Sequence, residues 1–151
     1  EAILAYFKKE KKLIISEALA EELKINLGTA VAKKEIKNTT IQGRDVDTGL
    51  PRNLDVSSED VASAMNGCIQ EIINAGHKAL ENTPPELVSD IIENGVVLAG
   101  GGALIRHLDL RIRNELRLPV RVAENPLIAI ARGGERVLDD PELLDKIQLE
   151  L

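Results

Sequence analysis

Apolar residues recur at helical spacing over the first thirty positions. Ile3, Tyr6 and Phe7 share one face of a helix predicted over residues 2–12, which a run of lysines extends. Leu13, Ile14 and Ile15 read as a short apolar link. Ser16 is placed to cap a second helix that ends at Gly28, a natural residue for the position after a helix. In that helix Leu19, Leu23 and Leu27 recur every four residues, and Glu17, Glu21 and Lys24 form the opposite stripe. The period then changes. Over residues 34–57, Ile36, Ile41, Leu54 and Val56 sit among threonines and polar residues, with Gly43, Asp47, Thr48, Gly49 and Pro51 supplying turn chemistry. This predicts a strand, a long turn and a returning strand in a small, exposed sheet.

Ser57, Ser58, Glu59 and Asp60 open a long helix over about 58–82. Val61, Met65, Cys68 or Ile69, Ile72 and Ala79 are its expected buried face. Pro84-Pro85 separates it from a short helix, Glu86 to Glu93, stopped by Asn94-Gly95. Val96-Val97-Leu98-Ala99 follows as a wholly apolar strand, running directly into Gly100-Gly101-Gly102. A helix from about Ala103 to Leu116 is predicted next, with Leu104, Leu108 and Ile112 on one face. Pro119 to Val122 is a strand, Pro126 starts a helix through about Leu138, and Asp139-Asp140-Pro141 opens a last helix to Leu151. The C-terminal half therefore reads strand–helix–strand–helix, an α/β unit with a parallel sheet.

Composition narrows the function. The chain has 151 residues, enough for one domain or one lobe of a larger protein, and 44% of them are apolar, which excludes a disordered chain. Tyr6 and Phe7 are its only aromatics, and its net charge is −6; together these argue against a nucleic-acid surface built on stacking and basic charge. A lone cysteine, Cys68, with His77 and His107 far apart, gives no disulfide and no thiolate metal cluster. No apolar run reaches membrane-spanning length, and no signal peptide opens the chain. The expectation is a cytoplasmic protein, or a piece of one, since the chain starts at Glu1.

The first candidate for chemistry is the strand–GGG–helix junction. Glycines let a ligand approach the backbone closely, and ligands in α/β sheets sit beyond the carboxyl ends of strands. The junction lacks the Gly-Lys-Ser/Thr ending of a P-loop and the G-x-G-x-x-G spacing, because Ile105 holds the sixth position. A tight βα turn with no ligand is the competing reading. The second candidate is Glu21 with Lys24, three residues apart on one helix face. They read either as a surface ion pair or as a carboxylate for ribose hydroxyls beside a lysine for base or phosphates. Cys68 reads as a small core residue, and His77 and His107 as solvated positions on helices. Arg44 and Asp45 are expected in a turn, and Arg111, Arg113 and Arg117, with Arg106 near them, form a basic patch.

Several stretches carry a family resemblance. The run Pro-Pro-Glu-Leu-Val-Ser-Asp-Ile-Ile-Glu-Asn-Gly-Val-Val-Leu-Ala-Gly-Gly-Gly-Ala-Leu-Ile-Arg-His-Leu-Asp from Pro84, and Leu-Pro-Val-Arg-Val-Ala-Glu-Asn-Pro-Leu-Ile-Ala-Ile-Ala ending at Ala131, resemble the C-terminal part of the MreB family. So do Ala20 to Gly28, Gly43-Arg44-Asp45, and Gly49-Leu50-Pro51. These are bacterial actin-like proteins that set rod cell shape. The resemblance covers nearly the whole chain and implies the second lobe of a ribonuclease-H-like, actin-type ATPase, with a small α+β outer subdomain over 1–57 and an inner subdomain over 58–151. It implies a cofactor, ATP with Mg, bound between two lobes. Gly100, Gly101, Gly102, Ala103 and Leu104 would line the adenosine side, and Glu21, Glu22, Leu23 and Lys24 would face the nucleoside from the outer subdomain.

The family's phosphate loops, including an Asp-x-Gly-Gly-Gly-Thr type sequence, do not occur in this chain. Phosphoryl transfer depends on positioning and neutralising the γ-phosphate, so this chain alone is expected not to hydrolyse ATP. No catalytic or metal-ligating residue is assigned within it. The implied function is nucleotide-dependent self-association into filaments underlying cell shape or intracellular organisation. Further cell-shape or membrane-linked partners are compatible with it, with membrane contact through the other lobe. Two other classes compete: a non-enzymatic module that binds filaments of a longer relative, and a lobe of a sugar-kinase or chaperone-type ATPase.

Overall fold

The computed structural model describes residues 1–31 and 36–140. Helix α1, Ala2–Glu10, buries Ile3 and Phe7 one turn apart, and Tyr6 packs edge-on against Phe7 with ring centroids 5.8 Å apart. Residues Leu13–Ile14, expected as a link, form strand β1. A two-residue strand has no period to read. It exists because its neighbour yields space: a Cβ on Gly43 would lie 2.6 Å from the Ile14 carbonyl oxygen. Helix α2, Glu17–Leu27, starts as expected, with the Ser16 hydroxyl oxygen accepting from the Leu19 N–H at 3.2 Å. It ends at Gly28, though for a different reason from the one expected. Gly28 has φ −56°, which any residue can adopt. What it needs is room, since a Cβ there would lie 2.1 Å from the Lys24 carbonyl oxygen.

Strands β2, Asn38–Asp45, and β3, Pro51–Ser57, form the predicted hairpin. The sheet order is β1-β2-β3, antiparallel throughout, with Ile41 opposite Leu54. Arg44 and Asp45 belong to the end of β2 and not to the turn; Asp45 instead closes the turn, its carboxylate accepting from the Asp47 and Thr48 amides at 3.0 and 2.9 Å.

Helix α3, Ser58–Glu81, opens on a complete capping box between Ser57 and Asp60. Its buried face is Val61, Met65, Ile69 and Ile73. The stripe expected through Cys68, Ile72 and Ala79 is exposed, Ile72 to 48%. Both stripes satisfy helical spacing; the one through Ile69 and Ile73 packs into the core, beside Leu108 and Ile112. Helix α4, Pro85–Asn94, follows, and β4, Val96–Leu98, pairs in parallel with β5, Val120–Val122.

The helix expected from Ala103 to Leu116 is broken in two. Gly101–Leu104 is one 3-10 turn, and α5 is Leu108–Leu116. Ile105 is extended and His107 is left-handed, with φ 61°, so no continuous helix can pass through them. Leu108 and Ile112 are buried as expected, whereas Leu104 is 55% exposed. The helix expected from Pro126 begins later, as α6, Ala129–Asp139, because residues 126–128 form a turn. The last predicted helix lies outside the described residues beyond its first two positions. One hydrophobic core runs from Ile3, Phe7 and Leu13 through the buried face of α3 to Leu108, Ile112 and Val120.

Candidate functional site

A cleft of about 450 Å³ opens where α1, α2 and α3 meet the segment that follows the glycine turn. Its floor is apolar, built from Ile3, Ala20, Met65, Ile69 and Ile105. Its rim carries Glu17, Glu21 and Lys24. An apolar hollow with a few convergent polar groups is the usual form of a small-molecule site. Glu21 and Lys24 are paired across one helical turn at 2.7 Å, with 57% and 40% of their side chains exposed. A pair this wet contributes little to stability, so both groups can exchange each other for a ligand at small cost.

The four neighbouring positions on α2 do not share one environment. Glu21 and Lys24 face this cleft. Glu22 faces a second groove, between α2 and β2, and Leu23 is 2% exposed in the core. Cys68 and Ile72, the exposed stripe of α3, border the cleft. The core reading of Cys68 is thereby corrected. Spacing leaves Cys68 and Ile69 as alternatives, whereas Ile72, expected on the buried face, is exposed and lines the cleft.

The glycine turn follows β4 directly. Gly100 has φ 80°, a conformation that disfavours side chains, and its N–H donates to the Pro126 carbonyl oxygen at 2.7 Å. Around Gly102 no atom lies within 4 Å of where a Cβ would stand, so its backbone is bare to an approaching group. Ala103 is buried and Leu104 exposed. The glycines do not line the cleft themselves; Ile105, which leaves the turn, does.

The two candidate stretches are tied together by contacts that spacing could not reveal. The Arg106 guanidinium donates to the Leu27 carbonyl oxygen at 2.9 Å and to that of Gly28 at 3.1 Å. The Ala30 N–H donates to the Arg106 carbonyl oxygen at 2.8 Å, and Thr29 pairs with Arg106 as a parallel bridge. The Thr29 hydroxyl lies 3.1 Å from His107 Nδ1. His107, expected as a solvated helical residue, is therefore half-buried in this junction, and the Arg106 guanidinium is turned onto the end of α2. Arg111 and Arg113 are paired within α5 to Glu115 and Asp109, while His77 is exposed on α3.

Among the described residues no three His, Cys, Asp or Glu side chains gather as a metal site, and no helix is long and apolar enough to cross a membrane.

Comparison with known proteins agrees with this architecture. The chain is 43% identical over 147 residues to the cell shape-determining protein Mbl of Bacillus subtilis, covering 97% of this chain and 44% of that protein. It is 41% identical to the cell shape-determining protein MreB of Escherichia coli K12, over 92% of this chain and 40% of the relative. It thus spans less than half the length of the curated relatives it matches. The crystal structure of MreB5 of Spiroplasma citri bound to ADP superposes with a TM-score of 0.88 at 31% identity, over 97% of this chain and 44% of that one. The same protein bound to AMPPNP superposes equally well. The fold is an α/β, actin-type lobe. A family profile for MreB/Mbl protein matches residues 1–146, and the chain belongs to the MreB/Mbl family.

Proposed function

We propose that this chain is the nucleotide-binding second lobe of an actin-like cell-shape protein, and that it holds the nucleoside part of ATP. The observation that carries this reading is the placement of Glu21, Lys24 and Ile105 on one cleft, with Ile105 leaving the bare glycine turn. Gly100 to Leu104 would take the adenosine from one side, the backbone of Gly101 and Gly102 admitting close approach. Glu21 and Lys24 would reach the ribose hydroxyls and the base or phosphates, and Glu22 and Leu23 would hold that helical turn in place. That MreB5 has been seen with both ADP and AMPPNP supports a nucleotide as the ligand.

In this reading residues 1–57, with the three-stranded sheet, are the outer subdomain, and residues 58–151, with the β4-β5 pair, the inner one. The described residues gather no carboxylate cluster for a cation. In this reading Mg and the phosphates would be held by the remainder of a longer protein, which would also supply hydrolysis. The complete protein would assemble with itself into ATP-dependent filaments in the cytoplasm, at the membrane, that set cell shape or intracellular organisation.

The test is a titration of the 15N-labelled chain with ADP. Amide shifts should appear at Gly101, Gly102, Glu21 and Lys24, and Lys24→Ala should weaken binding. Shifts that avoid these positions, or that Lys24→Ala leaves unchanged, would overturn the reading.

A further inference from the structure

We infer that Arg106 is a positioning residue for the nucleoside site, fixing the separation between its two walls; this rests on the nucleotide reading above. Glu21 and Lys24 stand on α2, and the glycine turn stands at the end of β4. The junction of residues 27–30 with 105–107 joins them. Arg106 is built for that task. Its planar guanidinium addresses two adjacent carbonyls, Leu27 at 2.9 Å and Gly28 at 3.1 Å, which a lysine cannot do with the same geometry. Both carbonyls belong to the C-terminal end of α2, where free acceptors and the negative end of the helix dipole favour a cation.

The backbone reinforces the contact. Gly28 must be small because the chain turns tightly against the Lys24 carbonyl, and this turn presents the Leu27 and Gly28 oxygens to Arg106. The Ala30–Arg106 bond and the Thr29–His107 contact close the other side. His107 keeps a left-handed backbone, uncommon for a residue with a side chain, at the point where the turn hands over to α5. Ile105, immediately before Arg106, is a wall of the cleft that Glu21 and Lys24 border. A shift of Arg106 therefore moves one wall relative to the other without touching any group that would meet the ligand.

The experiment compares the chain with Arg106→Met, Arg106→Lys and Thr29→Val by the same ADP titration, well below each variant's melting temperature. Arg106→Met should raise the ADP Kd about tenfold, the scale of one charged hydrogen-bonding contact. Arg106→Lys, which restores one donor, should recover part of that loss, and Thr29→Val should weaken binding less than Arg106→Met. In Arg106→Met the ADP-induced shifts should persist on one wall and fade on the other, an uncoupling that lowered stability alone does not produce. Protected amides at Phe7, Val61 and Ile69 report that the core is intact. If Arg106→Met does not fold, Arg106→Lys and Thr29→Val carry the test. Unchanged Kd in the folded variants, with Lys24→Ala weakening binding, overturns the positioning role and leaves the nucleotide reading intact. No ADP shifts in the unsubstituted chain, or no effect of Lys24→Ala, overturns both.

Discussion

Lys11 and Asp60 meet at 2.6 Å between the end of α1 and the first turn of α3, with only 28% and 18% of their side chains exposed. The same carboxylate accepts from the Ser57 N–H and hydroxyl, both at 3.0 Å, so one residue closes the capping box and joins two helices. Burial alone would raise the Asp60 pKa. The Lys11 ammonium and the Ser57 donors outweigh it and hold the carboxyl below the usual aspartate range. The hydrogen bond to Asp60 raises the Lys11 pKa against its own burial.

A depressed carboxyl pKa stabilises the fold above its unfolded value, and that stability is lost as pH falls through the folded value. A raised lysine pKa contributes below its unfolded value and is lost as pH rises through the folded one. Urea unfolding of Asp60→Asn should show stability lowered by about 1–3 kcal/mol at neutral pH. Its acid limb, below about pH 4, should be flatter than that of the unsubstituted chain. Equal acid limbs would remove Asp60 as a source of acid sensitivity.

Two glycines should respond to alanine with opposite signs. Gly95 has φ 72°, and a Cβ there would stand 2.2 Å from the Pro119 carbonyl oxygen, so Gly95→Ala should cost roughly 1–3 kcal/mol. Gly67 lies within α3 with nothing within 4 Å, so Gly67→Ala should stabilise by about 0.5–1 kcal/mol. Chemical denaturation of the pair decides the sign.

Phe7 is fully buried where α1 meets the core, and Phe7→Ala should cost about 3–5 kcal/mol. Leu87 on α4 is 49% exposed, and Leu87→Ala should stay within about 0.5 kcal/mol of the unsubstituted chain. Similar melting temperatures for the two variants would contradict this placement of the core.

Asp45 organises the β2–β3 turn. Its carboxyl pKa is lowered first by the Thr48 amide, which outweighs desolvation, then by the Thr48 hydroxyl, the Asp47 amide and Arg52. Its contribution is present at neutral pH and lost as the carboxylate protonates below the ordinary aspartate range. Asp45→Asn should speed hydrogen exchange at the Asp47 and Thr48 amides at neutral pH, while exchange in α3 stays unchanged.

Long periodic elements were legible in the sequence because burial of one face writes the period. The α2 cap at Ser16, the β2–β3 hairpin, the start of α3 and the parallel β4–β5 pair all stand where spacing and turn chemistry put them. What spacing could not carry depended on contacts distant along the chain. β1 rests on the missing side chain of Gly43, and the break at residues 105–107 rests on the grip of Arg106 on α2. The choice of Ile69 and Ile73 over Cys68 and Ile72 was set by what packs around α3. Of the nucleoside candidates, Glu21 and Lys24 were visible as a pair, but their separation from Glu22 and Leu23 required knowing which sides of α2 were already covered.

Helix α3 is one unbroken run of 24 residues, and its core side chains end at Ile73. Beyond that point it meets Leu116 of α5 closely at Gly76, where a Cβ would stand 3.1 Å from Leu116 Cδ1. The rod is about 36 Å long, so a tilt of about 5° at its first turn sweeps its far end through about 3 Å. Met65 and Cys68 place the cleft on the shaft of this lever. A rotation of α3 about its first turn would therefore carry its far end, where the chain leads into α4, further than the cleft residues near its middle.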